Sequence, residues 1–169
     1  HSGRIFPVLL LSLATMISGV LMPYLSADWE AGRRCEVVEQ MRKFLAAISL
    51  LFTAGSAAVL LIAPWLFATL LQNRYSDGLA LMPMAFVFYI WASIAIVGQD
   101  YLWVAERGKW VGIAITLGLI VNITLNHYLL PIWGLHGAVV ATLCSHAIVL
   151  SGVWIAMVRC DFHFDSVML

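Results

Sequence analysis

The chain alternates long apolar runs with short polar breaks, and the breaks come at intervals suited to membrane crossings. No Asp, Glu, Lys or Arg occurs in residues 5–27, 44–73 or 78–99, and beyond Asp100 the apolar run resumes over 101–105. The longest charge-free stretch, 110–158, holds 49 residues. One helical crossing of the hydrocarbon takes about 20, so that stretch divides into two crossings, with Pro131 and Gly134 ending the first and turning the chain. The pattern predicts an all-α, polytopic transmembrane helix bundle with spans at about 5–26, 43–71, 79–104, 109–129 and 135–158. Pro64, in "LIAPWLF", predicts a kink or tilt in the second span.

Composition supports the same class. Hydrophobic residues make up 63% of the chain and charged residues 11%. Soluble domains carry about 25% charged residues, so the charges here are too few to cover a water-facing surface. Nine basic residues balance nine acidic ones, which gives no basic surface for nucleic acid. The three cysteines, Cys35, Cys144 and Cys160, lack CxxC spacing and read as plain thiols. The chain opens on His1 without the layout of a signal peptide, and is read as a C-terminal piece of a larger protein.

The breaks set an expected orientation. The connection at 28–42 carries Arg33, Arg34 and Arg42, with Lys43 at its edge; 100–109 carries Arg107 and Lys109, and the tail carries Arg159. These seven fall on one side of a five-span protein. The other side has Arg4 and Arg74, and none in the turn at 130–134. Basic residues flanking spans stay in the cytoplasm, so the 28–42 loop is expected inside, the start of this chain outside and its tail inside. Trp29, Val37, Val38, Met41 and Phe44 give the loop the spacing of a short helix lying along the membrane surface.

Candidate chemistry is sparse. There is no HExxH, DxD, paired-glutamate or phosphate-loop motif. His127, His136 and His146 stand 9 and 10 residues apart, which puts no two on one helix face. No metal or cofactor is expected. Polar groups inside spans are the better candidates, because hydrocarbon leaves them without partners. Asn122 and Asn126 share a face of the fourth span, and His146 lies deep in the fifth. Gly137, Ala141 and Ser145 form one small-residue face and Gly108, Gly112 and Thr116 another, and both are expected to let helices approach closely. Arg4, at the outer end of the first span, is either a snorkelling anchor or a guanidinium clamp for a phosphate group.

Four stretches carry a family likeness. They are "SGRIFPVLLLSLATMISGVLMPYLS"; the charged connection "ADWEAGRRCEVVEQMRKFL"; "LLIAPWLFATLLQNRYSDGLALMPMAF", with its "AP" and Tyr75; and "GKWVGIAITLGLIVNITLNHYLLPIWGLHGAVVATLCSH". In these the chain resembles the C-terminal lobe of polysaccharide flippases, the O-antigen and exopolysaccharide exporters of the multidrug/oligosaccharidyl-lipid/polysaccharide superfamily. The resemblance covers nearly the whole chain and implies five spans of a six-helix lobe, preceded by a further span and an N-terminal lobe. His136, in "GLHG", departs from the aliphatic residue commoner there.

The resemblance further implies a non-enzymatic transporter of the bacterial inner membrane. It would move undecaprenyl-diphosphate-linked oligosaccharide across the bilayer for polysaccharide synthesis, driven by a gradient of H+ or Na+. In the related lipid II flippases an arginine precedes the corresponding proline by 19 residues, as Arg4 precedes Pro23 here. That makes Arg4 the expected diphosphate contact, with Asn122, Asn126 and His146 expected on the cavity wall. The alternatives are a drug or cation exporter of the same superfamily and a membrane enzyme of glycan assembly.

Overall fold

The computed structural model describes residues 5–69 and 76–159. They form five helices: α1 (Ile5–Glu30), α2 (Arg34–Thr69), α3 (Ser76–Val104), α4 (Gly108–Trp133) and α5 (Leu135–Arg159), with no strand among the described residues. Each is long and apolar enough to cross a membrane. The chain is therefore an all-α, multi-pass membrane protein. Arg4, Arg74, Tyr75 and Cys160 lie outside the described residues.

α3 is the centre of the bundle. Half of its apolar span is buried, against 11% for α4. It packs on α1, α2 and α5, whereas α4 packs mainly on α5 and touches α3 only slightly. Val37, Met41, Leu45, Ile48 and Phe52 form one buried stripe along α2, at the three- and four-residue spacing that keeps side chains on one helix face. Leu25 of α1 and Val97, Tyr101 and Leu102 of α3 complete the same core. Ile123, Leu117 and Leu61 point outward, more than half exposed. That arrangement costs free energy in water and none in hydrocarbon.

The segment expected as a surface-lying loop is not a separate element. α1 continues to Glu30, and α2 begins at Arg34 after a three-residue turn. Val37 and Met41, assigned from sequence to a membrane-surface helix, are fully buried at the start of the α2 stripe. They face the core because the stripe runs on unbroken to Phe52. Apart from the buried Arg42, the charges of α2 are exposed: Lys43 pairs with Glu39 at 2.6 Å, and Arg33 pairs with Glu36 at 3.5 Å and also with Asp28. The Asp28 hydrogen bond and charge hold the Arg33 guanidinium's proton even more firmly than usual. α2 also runs through Pro64 as one helix.

Two of the turns are built alike. At the end of α1, Gly32 N–H donates to Trp29 O and Arg33 N–H to Asp28 O, both at 3.0 Å. At the end of α3, Glu106 N–H donates to Trp103 O at 3.1 Å and Arg107 N–H to Leu102 O at 2.8 Å. This pair of bonds closes a helix when one residue adopts a left-handed conformation. Gly32 does so at φ 79°, and Glu106 does so at φ 58° without glycine's freedom.

α4 and α5 form an antiparallel hairpin. Pro131 does not end α4, which continues to Trp133; the reversal falls on Gly134 at φ 52°. Gly137, Ala141 and Ser145 are buried, as their spacing predicts. Three close approaches fix the register: Gly152 meets Ala114, Gly118 meets Ser145 and Val149, and Gly137 meets the Leu129 backbone. The other small-residue face is not used in this way. Gly112 has open space beside it, Thr116 is exposed, and Gly108 abuts Trp103. The inner face of α4 is instead Val111, Ala114 and Gly118. Ala114 and Gly118 each stand two residues beyond Gly112 and Thr116, about 200° further round the helix.

Candidate functional site

Because α3 and α4 both lean on α5 but barely on each other, a cleft opens between them. Its volume is about 520 Å³. Ala92, Ala95, Ile96 and Gln99 of α3 form one wall and Ile115, Leu119 and Asn122 of α4 the other. Thr142, Ser145, His146 and Val149 of α5 form the floor, and Leu11 of α1 reaches the edge. These positions lie near the middle of α4 and α5, the depth at which polar side chains are most costly in a membrane and most often functional.

The polar groups are ordered by their own helices. His146 Nδ1 lies 2.9 Å from Thr142 O. A carbonyl oxygen can only accept, so Nδ1 carries the hydrogen of this bond, and Nε2 is the ring nitrogen left for another partner. The Phe88 ring lies against this imidazole, centroids 5.7 Å apart. Thr142 Oγ1 donates back to Ala138 O at 2.9 Å. Asn126 Nδ2 donates to both Asn122 Oδ1 at 3.1 Å and Asn122 O at 3.0 Å, which fixes the Asn122 amide from one turn away. Asn122 Nδ2 and the Gln99 amide make no hydrogen bond to another described residue. The cleft thus offers amide, imidazole and hydroxyl groups in an apolar frame, with no Asp, Glu, Lys or Arg among the described residues that line it.

Of the sequence candidates, Asn122, on the α4 wall, and His146, on the floor, line this one cleft. Asn126 lies behind Asn122 as its support and does not line the cleft. Arg4 lies outside the described residues. His127 is exposed, edge-on to Tyr128 at 5.3 Å, and His136 is exposed beside the hairpin turn. Among the described residues no three His, Cys, Asp or Glu side chains are placed to hold a metal ion.

Two polar residues were not singled out from the sequence. Gln99 lines the cleft, and Asp100, placed by its sequence inside the third span but not taken as a candidate, is 7% exposed inside α3. The signal was the apolar run "YLWVA" just after Asp100, which carries the helix past the charge. No family model, curated protein or solved structure matches the chain.

Proposed function

We propose that this chain is the substrate-handling part of a membrane exporter for lipid-linked oligosaccharide. In this reading it belongs to the bacterial inner membrane, with the turns at 31–33 and 105–107 facing the cytoplasm, and works with a second lobe across the cleft. One observation carries the reading: a mid-depth cleft whose polar lining, among the described residues, is amide, hydroxyl and imidazole, with no Asp, Glu, Lys or Arg. Amides, hydroxyls and an imidazole form hydrogen bonds to sugar hydroxyls, whereas a cleft for organic cations would gain from a carboxylate on its wall.

A diphosphate and a glycan cannot cross about 30 Å of hydrocarbon unaided. The cleft supplies polar partners for the glycan while the isoprenoid tail stays in the bilayer. The diphosphate needs a cation, and Arg4, at the outer end of α1 by sequence, is the residue proposed for it. The experiment is complementation in cells lacking the full-length protein. Asn122→Leu and His146→Leu, made singly in that protein, are expected to deplete surface polysaccharide and to accumulate lipid-linked repeat units. Normal surface polysaccharide in both variants refutes the assignment of the cleft.

A further inference from the structure

Asp100 lies near the end of α3 and is 7% exposed, among residues of the apolar core. Ser18 Oγ, on α1, donates a hydrogen bond to Asp100 Oδ1 at 2.9 Å. The second oxygen, Oδ2, is buried with no hydrogen-bond partner. Among the described residues no cation forms an ion pair with it. α1 meets the carboxyl with a serine hydroxyl, and Tyr101, next along α3, sets its ring edge-on to Trp29 at 6.2 Å. Arg42, the buried cation of α2, has an interaction of its own and forms no ion pair with Asp100. The buried positions of α4 and α5 carry no titratable side chain.

A carboxylate withdrawn from water needs a cation or several donors to offset its lost hydration. Here there is one donor. A carboxylic acid demands less, because Oδ1 accepts the Ser18 bond while Oδ2 holds the proton. Two carboxyl oxygens and one hydroxyl are too few for a hard metal cation, which takes about six oxygen ligands.

We infer that Asp100, latched by Ser18, is a proton-binding site between α1 and α3. Oδ2 takes up a proton as the two helices close and releases it to water as they part. Gln99, the preceding residue, lines the cleft, so a movement of α3 that hydrates Asp100 also moves a cleft wall. The use of this proton to drive export rests on the transport reading above; the proton site does not.

The test is infrared difference spectroscopy of the full-length protein in lipid nanodiscs through a pH step. Wild type is expected to show the carbonyl stretch of a buried carboxylic acid. Asp100→Asn should remove that band, and Asp100→Glu should restore one. Ser18→Ala should shift it to higher frequency without abolishing it, and this arm stands if Asp100→Asn does not fold. An unchanged band in Asp100→Asn, no shift in Ser18→Ala, or a sodium-dependent carboxylate band instead overturns the proposal. An Asp100→Asn protein that loses the band yet exports at the wild-type rate upholds the proton site and removes its role in driving export.

Discussion

Gly118 of α4 lies so close to Val149 of α5 that a β-carbon at 118 would overlap the valine side chain and stand 3.2 Å from the Ser145 carbonyl oxygen. The hairpin that floors the cleft therefore depends on a missing side chain. Gly118→Leu is expected to lower stability by about 1–3 kcal/mol, the usual cost of overpacking. Gly112→Leu, with open space beside it, should change stability by only about 0.5 kcal/mol. Thermal unfolding of both variants in nanodiscs is the check. Equal losses would contradict the register described for α4 and α5.

The two matched turns make a paired prediction. Glu106 adopts at φ 58° the conformation that Gly32 adopts at φ 79°. A side chain there costs about 1–2 kcal/mol in the left-handed region. Glu106→Gly should therefore raise stability by up to about 1 kcal/mol, and Gly32→Ala should lower it by a similar amount. A destabilising Glu106→Gly would show that the Glu106 side chain contributes something the backbone geometry does not reveal.

These turns also show where sequence reasoning reached its limit. The five spans were legible because a charge-free run of twenty residues has few other structures open to it. Some of their ends were not: α1 and α4 run on to Glu30 and Trp133, past the expected 26 and 129, and α2 begins at Arg34, before the expected 43. The Arg33–Lys43 cluster of basic residues looks like a loop, yet Val37 and Met41 bind the segment into the core, leaving Arg33, Arg34 and Lys43 exposed and Arg42 buried. Likewise Gly112 and Gly118 are both glycines on one helix, and only the partner helix decides which is buried. Asn122 and His146 were legible as polar residues inside spans. That they line one cleft depends on α3 and α4 standing apart, which no local pattern encodes.

Asn126 supports Asn122 without lining the cleft, so its effect should pass through its neighbour. Asn126→Ala is expected to reduce export less than Asn122→Leu does. The double variant should be no worse than Asn122→Leu alone, as residues acting through one contact are not additive. Stability should fall by about 0.5 kcal/mol, the scale of a pair one turn apart on a helix. Additive losses in export would give Asn126 an independent role.

The proposed orientation rests on seven basic residues against two. Cys35, exposed in the first turn of α2, reports on it. In intact cells Cys35 should react with a membrane-permeant thiol reagent and resist an impermeant one, with Cys35→Ser as the control. Labelling by the impermeant reagent would place the 31–33 turn outside and invert every span.

The central claim is that the cleft carries a lipid-linked glycan across the membrane, and the most direct measurement is flipping itself. The full-length protein would be reconstituted in proteoliposomes holding undecaprenyl-diphosphate oligosaccharide, with the glycan reaching the far leaflet followed over time. Wild type is expected to move the glycan, and Asn122→Leu and His146→Leu to slow it at least tenfold, about 1.4 kcal/mol or more in barrier height. Wild-type liposomes that move an organic cation and leave the glycan in place would contradict the account.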